Sequence, residues 1–190
     1  MKFFNYLTGF VSLASAVAAL PSGLSSAAAD ASTSDLAKRD AIAIRQALEA
    51  AQAKAVALGD LFEAATDTSD VPGIEAAGDE LVASINSAED VAAASNPLTL
   101  IEALGFVNTV TSLQNTIDDL TTVVKAKKPF VVQVGYVDEL LTYLGELQTA
   151  TNAFGTTILT KVPAAARSIA QGYIDDLNAS VADVITFYTS

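Results

Sequence analysis

The chain has 190 residues, with 10 Lys+Arg against 22 Asp+Glu, a net charge of −12, and neither His nor Cys. That balance argues against nucleic acid, whose phosphates need clustered cations. The missing Cys and His remove disulfides, thiolate chemistry, and the commonest general base and metal ligand.

Hydrophobic residues make up 51% of the chain, and mean hydropathy is +0.40. Much of the excess is alanine, which loses no side-chain entropy in a helix, so the composition favours an all-α protein.

Met1-Lys2 opens the chain, and Phe3 to Val17 is mainly apolar or small. Ala16-Val17-Ala18 fits the small-x-small cleavage pattern, which predicts a signal peptide over residues 1–18 and a secreted protein. The apolar run is too short and too interrupted for a membrane span. Residues 19–39 are rich in Ser and Ala, lack periodicity, and read as an unstructured pro-segment. They end in Lys38-Arg39, a pair that fits a dibasic processing site ahead of Asp40. Cleavage there removes Lys2, Lys38, Arg39, Asp30 and Asp35, leaving 7 cations and 20 anions in residues 40–190, a net of −13. No apolar tail of the lipid-anchor kind closes the sequence. Asn178-Ala179-Ser180 is a glycosylation sequon.

Residues 40–190 read as one domain of five helices. Ile44, Leu48, Ala51, Ala55, Leu58 and Phe62 are spaced at the helical period and predict a helix over 40–65. A loop follows at Asp67–Gly73, then a second helix over 74–94 with the stripe Ile74, Gly78, Leu81, Ile85, Ala88 and Ala92. Asn96 as N-cap and Pro97 at the first helical position predict a third helix over 97–128, striped by Ile101, Leu104, Val107, Val110, Leu113, Ile117, Leu120 and Val124. Lys125, Lys127 and Lys128 place cations at its negative end. Pro129 breaks the run, and a fourth helix over 130–160, striped by Val134, Val137, Leu141, Leu144, Thr151, Phe154 and Ile158, completes a hairpin from Asn96 to Val162. Phe130–Val134 also has β-branched, strand-like character. Gly135, Gly145 and Gly155 inside this helix signal either kinks or close helix approach. Pro163 starts the fifth helix, striped by Ala166, Ile169, Tyr173, Leu177, Val181, Val184 and Tyr188. Long helices with short loops predict an antiparallel bundle.

No catalytic constellation emerges. Asp118-Asp119 and Asp175-Asp176 are adjacent on their helices and so diverge by about 100°. Phosphate-loop, dinucleotide and nucleophile-elbow motifs are missing, and no cofactor or metal is implied. The expectation is a non-enzyme. The small residues on the first two helices leave two outcomes open, close helix packing or residual space. A void of about 300 Å³, the low end for ligand pockets, costs about 7 kcal/mol when empty, so it persists more easily when a ligand fills it.

The assembled features resemble the fungal hydrophobic surface-binding protein A family, which includes cell wall galactomannoproteins of the Mp1 type. The resemblance is carried by Leu20-Pro21, Lys38-Arg39-Asp40, Asn96-Pro97-Leu98-Thr99-Leu100, the helix end Val123–Lys128, and the Cys-free, Ala-rich helical layout. It implies a bundle of about five helices at the cell surface or in the cell wall, binding hydrophobic surfaces or enclosing fatty acids. With no invariant motif to carry over, the site follows from the apolar stripes. Candidate tail contacts are Leu104, Val107, Val110, Leu113, Leu141, Leu144, Phe154, Ile169, Tyr173 and Leu177. Candidate head-group partners are Gln148, Thr151, Ser112, Tyr173 or the Lys125–Lys128 cluster. The alternatives are an adhesin that recruits secreted hydrolases to hydrophobic substrates, and a structural, glycan-bearing wall mannoprotein. No pattern specifies an oligomeric state.

Overall fold

The computed structural model describes residues 27–190, with side chains described for Asp35, Leu36 and from Lys38 onward. The expected signal peptide and its Ala18 cleavage site lie outside the described residues. Seven helices follow in order: α1 Ala27–Ala64, α2 Val71–Ala94, α3 Leu100–Gly105, α4 Val107–Ala126, α5 Lys128–Gln133, α6 Val137–Lys161 and α7 Arg167–Thr189. Single 3₁₀ turns precede α2 and α7, and no strand occurs among the described residues. The strand-like Phe130–Gln133 segment is helical, as the longer pattern predicts.

The five long helices form a closed ring in the order α1, α2, α6, α7, α4 and back to α1. The expected hairpin is therefore splayed: α4 and α6 each pack on α7, which lies between them. Consecutive long helices run in opposite directions, but several ring neighbours are parallel. Asp40 meets Asn96, Gln52 meets Ser112, and Lys127 meets Glu63, which sets α1 and α4 side by side in one direction. Gly78 against Tyr143 and Glu89 against Thr157 do the same for α2 and α6. The α1 stripe is buried throughout: Ile44, Leu48, Ala51, Ala55, Leu58 and Phe62 are all at most 5% exposed.

Helix α2 begins at Val71 rather than at 74, and Pro163 opens a 3₁₀ turn rather than the fifth helix, which starts at Arg167. Four further expected boundaries move, each for a local reason. Helix α1 extends back to Ala27 through the segment expected to be unstructured. Ala27, Ala28, Ala29 and Ala31 are strong helix formers and need no periodicity to propagate a helix already nucleated. The third helix starts at Leu100, not Pro97, because Thr99 and Glu102 form a reciprocal capping box. Asn96 does not cap it; its backbone N–H and Nδ2 both donate to Asp40 Oδ2 at 2.9 and 2.8 Å. The same helix breaks at Gly105-Phe106, separating the short α3 from α4. The fourth helix breaks at Gly135, whose φ of +75° a side chain would strain.

Cations close the ring by capping neighbouring helices rather than their own. Lys127 Nζ donates to the carbonyls of Glu63 and Ala65 at the end of α1, Lys161 to those of Ala93 and Ser95 at the end of α2, and Lys128 to that of Phe187 at the end of α7. Each satisfies carbonyls that a helix C-terminus leaves without partners. Lys125 pairs with Asp183 across α4 and α7.

Tyr188 Oη donates to the buried carbonyl of Val124 at 2.7 Å. Tyr188→Phe is expected to lose about 1 kcal/mol, the net value of one such bond. Burial pushes the hydroxyls of Tyr136 and Tyr188 up to about 12. In the unfolded chain they ionise near pH 10, so the folded state is favoured below that pH and loses the advantage as pH rises from about 10 to 12. Urea midpoints measured from pH 9 to 12 should fall in that window, and fall less in Tyr188→Phe.

Candidate ligand-binding site

A ring of five helices leaves an axis that side chains must fill. Here they fill it incompletely. A cavity of about 90 Å³ lies between α1, the α3–α4 break, α6 and α7, and a second of about 50 Å³ continues toward α2. Leu48, Leu113, Thr151, Phe154 and Leu177 border both and form the waist between them. The small residues of the first two helices produce both outcomes left open by the sequence. Ala55 and Ala92 pack without space, whereas Ala51 and Ala88 border the smaller cavity.

Nine of the twelve candidate site residues meet at the larger cavity. Leu104, Val107, Val110 and Leu113 reach it from α3 and α4, Thr151 and Phe154 from α6, and Ile169, Tyr173 and Leu177 from α7. Leu141, Leu144 and Gln148 do not reach either cavity; Leu144 is buried at 5% exposure in the core and Leu141 packs against it. The three share α6 with Thr151 and Phe154 but lie nearer its start. Ten lining residues were not among the candidates: Ile44, Leu48, Leu98 and Phe106, with Ala103, Ile158, Val162, Ala166, Ala170 and Ile174. Ile158 carried a signal, since it belongs to the α6 stripe; Ala103 and Ala170 are small neighbours of residues on the stripes.

The polar candidates divide sharply. Thr151 Oγ1 donates to its own helix at Leu147 O, 2.8 Å away, so its proton is not offered to a ligand. The Ser112 hydroxyl accepts from Gln52 at an exposed position away from both cavities. The lysine cluster is occupied by helix ends and Asp183. Tyr173 Oη and Thr111 Oγ1 lie 3.0 Å apart and share one hydrogen bond, which leaves the pair a proton to donate.

The larger cavity approaches the surface at one end of the bundle. Leu104 and Ile169 both line it and are each 47% exposed, and Ile101 beside them is 85% exposed, outside the core its stripe predicted. The α3–α4 break turns this part of the stripe toward solvent. No group of His, Cys, Asp or Glu among the described residues is placed to hold a metal, and no described helix is long and apolar enough to cross a membrane.

A family profile described as hydrophobic surface binding protein A matches residues 41–160. The chain belongs to the hydrophobic surface binding protein A family. The matched segment runs from Ala41 in α1 to Thr160 near the end of α6, and α7 lies beyond it. Solved structures share the fold. Ligand binding domain 1 of the Penicillium marneffei MP1 protein, complexed with arachidonic acids, has a TM-score of 0.75 at 20% identity, covering 78% of this chain and 98% of that one. Domain 2 of the same protein, complexed with multiple arachidonic acids, gives 0.73 at 21%, covering 78% and 95%. AFMP4P in complex with palmitic acid gives 0.75 at 22%, covering 78% and 99%. A search of curated proteins by sequence gives no match.

Proposed function

We propose that this family member is a secreted, non-catalytic protein that binds fatty acids and similar single-chain amphiphiles within the helical ring. The observation that carries this reading is the apolar cavity on the ring axis, in a fold whose solved examples hold arachidonic and palmitic acids. The cavity as it stands is below the roughly 300 Å³ of an ordinary ligand pocket. The two spaces together are smaller than the void of about 150 Å³ that accepts one benzene. An acyl chain therefore enters by displacing side chains at the waist. The gain is adequate for this: burying about fourteen methylenes of a palmitoyl chain contributes about 11 kcal/mol gross.

A second reading, adsorption to hydrophobic surfaces, is favoured by the exposed Leu100, Ile101, Leu104 and Ile169. The two are compatible, since the same end of the bundle holds the exposed residues and the cavity approach.

In this proposal, cleavage after Ala18 and again after Arg39 releases a chain that begins at Asp40. That residue retains its structural role: the Asn96 backbone N–H holds its carboxyl below the usual carboxylate range. Lys38 and Arg39 are exposed but helical, so a protease must first unwind this part of α1. A glycan at Asn178 would replace the bond its Nδ2 makes to Asn152 Oδ1.

The test is lipid extraction and mass spectrometry of the purified protein, with calorimetric titration of palmitate. Saturable binding with a negative heat-capacity change is expected, and palmitate at about a hundred times Kd should stabilise the fold by about 2.7 kcal/mol. Absence of both co-purified lipid and saturable binding would sink the cavity reading. Adsorption to polystyrene beads that persists in high salt would then leave the surface reading in place.

A further inference from the structure

We infer that Arg45 is the anchor for the ligand's anionic head group, so that a fatty carboxylate sits at the α1–α3 end of the bundle and its tail runs down the axis. This rests on the hydrophobe-binding reading above and adds a residue and a direction to it.

Seven cations lie between Asp40 and Ser190. Six are engaged: Lys54 with Glu80, Lys125 with Asp183, and Lys127, Lys128, Lys161 and Arg167 with backbone carbonyls. Arg45 makes no hydrogen bond or ion pair among the described residues, and its Nε is buried without a partner. Leaving a buried donor on a charged group unsatisfied is costly, and native structures seldom do so without a reason. A ligand carboxylate supplies one, because the guanidinium offers parallel donors matched to its two oxygens.

Position supports the assignment. The guanidinium of Arg45 lies 5.9 Å from the centroid of Phe106, a residue of the cavity wall. One of its terminal nitrogens is 3.6 Å from where a side chain at Gly105 would begin, so the group rests on the α3–α4 break. Phe106 thus borders the cavity and lies beside the unpaired guanidinium.

The opposite orientation is disfavoured. The smaller cavity is walled by residues such as Leu81, Ile85 and Ala88, with only Thr151 polar, and that hydroxyl is already committed to Leu147. A carboxylate there would be a buried charge without a partner. Arg45 also answers an electrostatic difficulty, since the surrounding domain is strongly acidic and repels an anion at long range.

The experiment compares sodium palmitate with 1-hexadecanol, which has the same chain length and no charge, on the full chain and its Arg45→Met and Arg45→Lys variants. Arg45→Met is expected to weaken palmitate by about tenfold or more and hexadecanol by less than about twofold, with Arg45→Lys recovering most of the palmitate affinity. The carboxyl resonance of palmitate labelled at C1 should titrate at lower pH on the wild type than on free or micellar palmitate, a readout that holds even if Arg45→Met fails to fold. Equal losses for both ligands, an unchanged palmitate affinity, or a carboxyl titration no different from that of micelles would overturn the assignment. A wild type that binds neither ligand overturns the hydrophobe-binding reading and this one with it. A wild type that binds both, with Arg45→Met indifferent to the head group, overturns this one alone.

Discussion

Phe154→Ala should lose about 3 kcal/mol of stability without ligand and regain much of that loss when palmitate is bound. Phe154 borders both cavities, so its ring is part of the waist that divides them. Truncating a buried Phe costs about 3–5 kcal/mol, and the lower figure applies because Phe154 is only partly buried. The apo variant carries a single larger void and loses the contacts of the ring. In the wild type the ligand must displace that ring; in the variant the space already exists. Palmitate should therefore bind the variant about tenfold more tightly, which returns about 1.4 kcal/mol of the loss at saturation.

Phe62→Ala is the comparison. Phe62 is 1% exposed and borders neither cavity, so its loss should be as large and indifferent to palmitate. Urea unfolding of the three proteins with and without palmitate measures all of this. A Phe154→Ala deficit that stays the same with ligand would show that the acyl chain does not pass the waist.

The contrast between these two phenylalanines marks what periodicity conveys. Spacing at 3.6 residues identifies which face of a helix is buried, and the α1 stripe from Ile44 to Phe62 is buried at every position. It does not identify the neighbour across that face. Leu144 and Phe154 belong to the apolar stripe of the same helix, yet one fills the core and the other borders a void. The difference comes from the ring order, in which α6 lies between α2 and α7, and a repeat within one helix carries no information about ring order.

Local competition between caps is equally hidden. Asn96-Pro97 is a good helix start, but Thr99 and Glu102 satisfy two donors reciprocally, and Asn96 is taken by Asp40, 56 residues away. Arg45 escaped notice for a related reason. A cation flanking an apolar stripe reads as a solvated residue, and only the break that lays Gly105 and Phe106 against it reveals a buried guanidinium nitrogen.

Two glycines of α6, ten residues apart, should respond to the same substitution with opposite signs. A Cβ at Gly145 would meet nothing within 4 Å, so Gly145→Ala should stabilise the protein by about 0.5–1 kcal/mol through helix propensity alone. A Cβ at Gly155 would lie 2.7 Å from Ile174 Cγ2, where α6 and α7 cross closely. The propensity gain is the same, but overpacking costs about 1–3 kcal/mol, so Gly155→Ala should be destabilising by about 1–2 kcal/mol.

The consequence reaches the site, because Ile174 lines the larger cavity. The side chain cannot swing away at its far end; its branch is at Cβ, so relief requires moving α7 or pushing the whole side chain into the void. Either response narrows the space for an acyl chain, and palmitate affinity should fall with stability. Adding Ile174→Ala removes the clashing atoms and reopens the cavity, so the double variant should bind palmitate better than Gly155→Ala while each single change is destabilising alone. Thermal melts and palmitate titrations on the four proteins of this cycle measure the coupling directly. Additive effects, or a Gly155→Ala variant as stable as Gly145→Ala, would mean that α6 and α7 do not meet at this glycine.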